Sequence, residues 1–276
     1  MNILIFSKNR SMQLEALLRS MKKNLSEFDS SNISVIWKAD KGYASGYTKV
    51  KNLYPSVNFI MEKSGEFKQQ TLECMSESNT EILTMFLVDD IIFKLPFSFM
   101  DKPFTDMQYL SNHKYLCVSL RLDPSITHCY ATNKSQQPPS TLPVWNWKEH
   151  QGDWGYPMSL DGNVYMTSFI KKIVRSLEFS NPNDLEAKLD NFARTNSQIM
   201  HYAMLCYDRS KLLNVPANRV QHVYQNRSEE SFDTKTLNDL FCKENKVIDI
   251  RDFAGINNRS CHHPMTYTFV EREEES

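Results

Sequence analysis

Glycine is scarce in this chain, with 7 among 276 residues. Those glycines form none of the GxGxxG, GxxxxGK[ST] or GxSxG patterns that bind dinucleotides, bind nucleotide phosphates or expose a hydrolase nucleophile. The two closest of the 6 cysteines, Cys117 and Cys129, are twelve positions apart, so the chain has no CxxC pair, and its 7 histidines form no HExxH motif. The usual signals of Rossmann dehydrogenases, P-loop NTPases, α/β-hydrolases and zinc sites are therefore missing.

An excess of one charge sign and a long apolar run are also missing. The chain has 32 Lys and Arg against 33 Asp and Glu, which argues against a nucleic-acid or basic membrane-surface role. Its longest apolar stretch, Ile82 to Val88, is far shorter than the roughly 20 residues that span a bilayer. Because strand-like residues begin almost at Met1, no room is left for a secretory signal, and a cytoplasmic protein is expected.

The remaining pattern indicates an α/β fold. Short β-rich runs at 3–6, 33–38, 57–61, 82–88 and 116–120 alternate with helical patterns near 14–25, 66–78 and 105–112. This alternation predicts a mostly parallel sheet with helices on both faces. A proline-rich loop at 123–143 separates residues 1–122 from a second half, 123–270, with further helices near 167–178 and 183–194, and 271–276 is expected to fray.

Two adjacent acids at the end of an apolar strand are the most informative feature. Asp89 and Asp90 follow the run Ile82 to Val88 and precede another apolar pair. Buried carboxylates are costly unless a cation neutralises them, and ligands of open α/β sheets bind at the carboxyl ends of strands. The pair is therefore predicted to bind a divalent cation that bridges a diphosphate. The alternative is an exposed strand end whose acids cap a turn.

The opening segment ILIFSKNRSMQLEALLRSM, a strand, a polar turn and an amphipathic helix, resembles the start of GT-A-fold glycosyltransferases, especially family-2-like members. The resemblance implies a single GT-A-like, Rossmann-type mixed sheet with a nucleotide-sugar half at 1–122 and an acceptor half at 123–270. It implies that Asp89 and Asp90 correspond to the DxD motif that binds Mn²⁺ or Mg²⁺ with the donor diphosphate, although no strict Asp-x-Asp is present. It also implies a nucleotide pocket lined by Ser7, Asn9, Arg10 and Asp40.

Further roles follow from the same resemblance. Lys68 would contact the nucleotide or diphosphate, and its alternative is an exposed helix lysine. Trp154 and Tyr156, in the segment GDWGYPMSLDGNVYMTSF, would contact the acceptor, since aromatic rings stack on the C–H faces of sugars. The alternative for these two residues is a structural aromatic corner.

Candidates for a catalytic base and a third metal ligand lie further along the chain. Glu186, near a predicted helix start, is the first choice for the carboxylate that deprotonates the acceptor, and Asp161 is the second. Helix capping by Asn183 or Asp184 and dipole compensation by Glu186 are the structural alternative. His222 matches the position of a C-terminal metal or diphosphate ligand, with a packed histidine as its alternative and His262-His263 as competitors for the role.

The sequence therefore predicts a metal-dependent, inverting transfer of a sugar from a nucleoside-diphosphate donor to a hydroxyl of a glycan or related acceptor. A nucleotidyltransferase is a rival, but it needs a glycine-rich basic loop that Ser7 to Arg10 does not contain. A haloacid-type phosphatase would need its nucleophilic Asp at the end of the first strand, where Phe6 to Asn9 has none. A binding module for sugar nucleotides or glycans that has lost catalysis remains open.

Overall fold

The structure is a computed structural model, which describes residues 1–76, 82–109, 114–218 and 232–272. Its strands are β1 (Asn2–Lys8), β2 (Asn32–Lys38), β3 (Asn58–Met61), β4 (Leu83–Val88), β5 (Ile91–Phe93), β6 (Tyr115–Ser119), β7 (His128–Cys129), β8 (Lys134–Ser135), β9 (Val144–Trp145), β10 (Asn163–Met166), β11 (Ala203–Cys206), β12 (Leu212–Asn214), β13 (Lys246–Ile248) and β14 (Phe269–Glu271). Its α-helices are α1 (Ser11–Asn24), α2 (Ala44–Leu53), α3 (Phe67–Cys74), α4 (Lys102–Tyr109), α5 (Thr167–Ser176), α6 (Pro182–Thr195) and α7 (Thr234–Lys243). No helix among these residues is long and apolar enough to cross a membrane.

An 8-stranded mixed sheet organises the molecule, in the order β3-β2-β1-β4-β10-β6-β11-β9. Strands β3, β2, β1 and β4 are parallel, as are β6 and β11. Strand β10 lies between β4 and β6 and is antiparallel to both, and β9 is antiparallel to β11. Strands from both predicted halves of the chain thus alternate within one sheet.

Both faces of the sheet are covered by apolar layers. Alternate residues of β1 contribute to the two layers, with Ile3 and Ile5 on one face and Leu4 and Phe6 on the other. The first layer contains the apolar sides of α1, α2, α4 and α7, and the second contains those of α3, α5 and α6. This two-sided burial explains why the middle of β1, Ile3 to Phe6, and nearly all of β4 consist of apolar residues.

The fold prediction is confirmed, because a mixed sheet carries helices on both faces. The five predicted strands agree with β1, β2, β3, β4 and β6 to within one or two residues. The antiparallel insertion of β10 was not predicted, and neither were α2 and α7. Helix α2 buries only Gly46, Tyr47 and Val50, so its apolar periodicity is weak. Glu271 ends strand β14, and 273–276, which belongs to the segment expected to fray, lies outside the described residues.

Gly46 lies where α2 packs closely against the start of α1 and against α7. A Cβ atom at this position would lie 2.1 Å from Ser11 Oγ and 2.7 Å from both Ser11 Cβ and Asn238 Oδ1. Gly46→Ala is therefore expected to lower the free energy of unfolding by about 1–3 kcal/mol, despite the better helix propensity of alanine. Urea denaturation measures this change. Ser45→Ala, at an exposed position of the same helix, is the control. Equal stability of the two variants would show that α2 can move away from α1 and α7 without a loss of folding free energy.

Candidate active site

The topology brings several charged loops to one edge of the sheet. Parallel strands β1, β2 and β4 end there, at Lys8, Lys38 and Val88. Antiparallel β10 begins at the same edge, where Asn163 pairs with Ser119 at the end of β6. Five segments therefore meet at this edge: those that follow β1, β2, β4 and β6 and the one that precedes β10. Open α/β sheets bind their ligands at this edge.

Arg10 binds both acids that follow β4. Its Nη1 atom lies 2.9 Å from Asp89 Oδ1 and 3.2 Å from Asp90 Oδ2. The three side chains are 9%, 5% and 16% exposed, respectively, so this Arg10–Asp89–Asp90 triplet is largely removed from water. Each carboxylate also accepts a second hydrogen bond, Asp89 Oδ2 from the backbone N–H of Lys8 at 3.0 Å and Asp90 Oδ1 from the Asn214 amide at 3.2 Å. Predicted nucleotide and metal residues are thus in direct contact.

A second charged group faces the triplet across Asn214. Asp161 Oδ2 lies 3.3 Å from Arg121 Nη1 and 3.9 Å from His262 Nε2. Asn214 lies on β12, which pairs with β5, and its side chain also hydrogen-bonds the Asp161 side chain. The backbone of Asn214 forms an isolated β-bridge with the backbone of His262. The Arg121 side chain is only 4% exposed. Asp90 and Asp161 lie close enough to interact electrostatically, and we refer to these two acids together with Asp89, Arg10 and Arg121 as the acidic recess.

Glu186 enters this recess from α6. Its Oε1 atom accepts hydrogen bonds of 2.9 Å from Ser159 Oγ and from the backbone N–H of Leu160. Ser159 Oγ in turn accepts the backbone N–H of Asp161 at 3.0 Å, so Glu186 and Asp161 are linked through a single hydroxyl. The helix itself is capped by Asn181, which accepts from the Asp184 N–H, and not by Asn183 or Asp184 as predicted. Glu186 is therefore free of a capping role.

Burial raises the pKa values of three of these carboxyl groups. For Asp89 and Asp161 the rise is opposed mainly by Arg10 and Arg121, respectively. Burial and the nearby charge of Asp161 raise the pKa of Glu186 to about 7. At neutral pH, Glu186 is thus close to the point at which it exchanges a proton, as a general base requires.

The predicted nucleotide residues lie at the ends of β1 and β2. The Ser7 hydroxyl is 2.7 Å from the Tyr47 hydroxyl, and the Tyr47 ring stacks on Trp37. Asn9 has a positive φ of 58° and binds Asp40 twice, donating to its Oδ2 and accepting from its backbone N–H. The Asp40 side chain is 60% exposed, so it remains accessible beside the acidic recess.

The aromatic and lysine predictions are only partly matched by the structure. Trp154 is completely buried, with its indole N–H donating to the Ile126 carbonyl, so it belongs to the core and presents no face to an acceptor. Tyr156 is half-buried and lies within electrostatic reach of Glu186, which together with burial raises its pKa. Lys68, on α3, forms a 2.7 Å ion pair with Glu178, and its side chain is 25% exposed.

The third metal ligand is not among the described residues. His222 falls in 219–231, outside the described ranges. Within those ranges, no group of three or more His, Cys, Asp and Glu side chains is arranged to hold a metal ion.

Sequence reasoning missed Arg121 and Asn214, and it considered His262 only as a rival metal ligand. Arg121 follows an apolar strand and precedes Leu122 and Asp123, a pattern that resembles the charged end of β4. That pattern was the available signal. Asn214 carried no comparable signal, because its role depends on the pairing of β12 with β5.

A comparison with curated proteins finds a similar glycosyltransferase. No protein-family model matches the chain. Over 293 aligned residues it is 26% identical to the bifunctional glycosyltransferase pgtA of Dictyostelium discoideum. The alignment covers 89% of this chain and 37% of the relative, so the chain spans little more than a third of that protein. This chain is similar to part of a glycosyltransferase. The relative agrees with the family resemblance predicted from the opening segment.

Solved structures are more distantly similar. S. aureus TarS gives a TM-score of 0.44 at 11% identity, covering 79% of this chain and 37% of that one. TarS 1–349 in complex with UDP-GlcNAc gives 0.44 at 13% identity, with 80% and 60% covered. A cytidylyltransferase from Leptospira borgpetersenii gives 0.42 at 9% identity, with 76% of each chain covered. At these TM-scores, the likeness carries no argument about function.

The raised pKa of Glu186 predicts a pH-dependent stability. Because the folded-state pKa, about 7, exceeds the ordinary value of 4.5, folding binds a proton between these values. This contribution is fully present below about pH 4.5 and is lost as the pH rises through about 7. Between pH 5 and pH 8, wild type should therefore lose on the order of 1–3 kcal/mol relative to Glu186→Gln. Urea denaturation at several pH values measures the difference.

Glu178→Gln is the matched control, because Glu178 is exposed and its hydrogen bond to Lys68 lowers its pKa, so it stays ionised over this range. Parallel stability curves for wild type and Glu186→Gln would show that Glu186 has an ordinary pKa.

Proposed function

We propose that this chain is a glycosyltransferase that moves a sugar from a nucleoside-diphosphate donor to a hydroxyl of a glycan or related acceptor. The observation that carries the proposal is the juxtaposition of the Arg10–Asp89–Asp90 triplet with Asp161, Arg121 and Glu186 at the carboxyl edge of the sheet. One end of this recess has the charges for a diphosphate and its counter-ion. The other end has a carboxylate with a pKa near neutrality. The similarity to a part of pgtA supports the same reaction class.

The donor end suits a diphosphate together with Mn²⁺ or Mg²⁺. Among the described residues, the four carboxylates of Asp89, Asp90, Asp161 and Glu186 share the recess with two guanidinium groups, those of Arg10 and Arg121. The excess of carboxylate oxygens fits a hard cation, and Asp89 and Asp90 would hold it. Two protein carboxylates are sufficient where substrate phosphates and water complete the coordination shell. When bound there, such an ion would supply positive charge for the departing nucleoside diphosphate.

The acceptor end is where proton transfer takes place. Glu186 removes the proton of the acceptor hydroxyl while that oxygen bonds to the anomeric carbon and the bond to the diphosphate breaks. The proton remains on Glu186 and passes to solvent, and the configuration at the anomeric carbon inverts. Asp161, held by Arg121, binds an acceptor hydroxyl and is the second candidate for the base. Tyr156, half-buried beside Glu186, borders the space for the acceptor.

Substitution of the two carboxylates tests these assignments. Glu186→Gln keeps the hydrogen bonds from Ser159 and Leu160 but cannot accept a proton, so sugar transfer should fall on the order of a hundredfold to ten-thousandfold. Stabilisation by the donor, measured as a thermal shift across a panel of UDP-, GDP- and TDP-sugars with Mn²⁺, should persist. Asp161→Asn should act mainly on the KM for the acceptor, and exposed Glu178→Gln should leave both properties unchanged.

The outcomes separate the alternatives. A normal turnover of Glu186→Gln beside an inactive Asp161→Asn would move the base to Asp161. Full transfer by both variants would favour a retaining mechanism. If wild type binds a sugar nucleotide and transfers nothing to any acceptor tested, the chain is a binding module, and the proposed activity is wrong.

A further inference from the structure

The positively charged group at Asp89 and Asp90 is Arg10 itself. A single guanidinium nitrogen, Nη1, contacts Asp89 at 2.9 Å and Asp90 at 3.2 Å. The position between the two acids is where the proposed function puts a divalent cation. Because like charges repel strongly in a site this poorly exposed to water, a guanidinium and a divalent ion do not share it at low cost.

Arg10 has a second set of contacts that does not involve the acids. Its Nε donates to Asn218 Oδ1 at 2.8 Å, and its Nη2 donates to the Asn218 carbonyl oxygen. The Asn218 amide group donates to the Phe232 carbonyl at 3.1 Å, so the residue that receives Arg10 is itself fixed. The guanidinium group is thus held from the side opposite the carboxylates. Small rotations about this attachment would withdraw Nη1 from the acids without releasing Arg10 from Asn218.

The triplet is incompletely neutralised. Among the described residues, one positive charge, that of Arg10, contacts the two carboxylates, and their other hydrogen bonds come from uncharged donors, namely the Ser7 hydroxyl, the Lys8 N–H and the Asn214 amide. Asp161 adds a further negative charge next to Asp90. Asp90 is the more exposed of the pair, at 16% against 5% for Asp89. A cation from solvent would therefore approach from the side of Asp90.

We propose that Arg10 and a divalent cation are alternative counter-ions of Asp89 and Asp90, and that the cation transfers Arg10 from the carboxylates to the donor diphosphate. Without the ion, Arg10 neutralises the two buried acids, which would destabilise the fold if they were unpaired. With the ion, the guanidinium group turns towards the diphosphate, to which it donates hydrogen bonds from the N–H groups that do not bind Asn218. This inference rests on the proposed function for the identity of the diphosphate. Arg10 thus couples the binding of the ion to the binding of the donor.

Titration of Mn²⁺ alone, followed by electron paramagnetic resonance, tests the competition without any sugar transfer. Arg10→Gln removes the competing charge and should raise the affinity for Mn²⁺ tenfold or more. Asp90→Asn in the Arg10→Gln background should abolish this gain, because the ion then loses a ligand. Arg19→Gln is the control, since Arg19 pairs with buried Glu15 on α1 and takes no part in the triplet.

A second readout concerns the diphosphate. At saturating Mn²⁺, Arg10→Gln should bind UDP at least tenfold more weakly than wild type, because the released guanidinium group is missing. Arg10→Lys keeps the charge but not the fork that reaches both acids and Asn218, so its Mn²⁺ affinity should lie between those of wild type and Arg10→Gln. This variant keeps the test decisive if Arg10→Gln does not fold.

The proposal is overturned if Arg10→Gln binds Mn²⁺ no more tightly than wild type, or if the gain survives Asp90→Asn. These results are independent of turnover. A chain that shows the predicted Mn²⁺ competition but transfers no sugar would contradict the proposed function and leave the competition intact.

Discussion

Incomplete neutralisation of buried acids at one edge of the sheet is the constraint on which the site depends. Asp89, Asp90 and Asp161 cannot be buried together unless Arg10 and Arg121 accompany them, and the two arginines are accordingly among the least exposed charged side chains of the recess. Burial and the charge of Asp161 raise the pKa of Glu186, and the same negative charge is what the proposed cation would neutralise. Structural stability and the proposed chemistry thus have the same electrostatic origin.

The position of β10 makes this arrangement possible. An all-parallel sheet would put the start of β10 at the opposite edge from Asp89. Its antiparallel insertion between β4 and β6 instead puts Asp161 beside Asp90 and within reach of Arg121. Gly162, with a φ of 80°, makes the turn into β10, and its carbonyl accepts from the Leu120 N–H at 3.0 Å. The second half of the chain therefore contributes to the site through strand order as well as through α6.

Local patterns predicted the fold class, five strands and the position of Asp89 and Asp90 at a strand end, because apolar alternation and charged strand ends are properties of short segments. They did not predict Arg121 or Asn214 as partners, since those contacts depend on which strands pair across the sheet. The aromatic prediction was wrong for Trp154, which is completely buried. A segment rich in Trp and Gly has the same sequence pattern whether its rings line a pocket or fill the core. Burial of an indole whose N–H has a backbone acceptor is decided by tertiary packing.

The central claim is that the acidic recess between the Arg10–Asp89–Asp90 triplet and Asp161 receives a nucleoside diphosphate. The most direct measurement is the crystal structure of the protein grown with UDP and Mn²⁺, with anomalous diffraction recorded to locate the manganese. The account predicts an anomalous peak beside Asp90 and a diphosphate at the carboxyl edge of the sheet, within hydrogen-bond distance of Arg10. A diphosphate bound at any other surface, with Arg10 still paired to both acids and no manganese beside them, would contradict it.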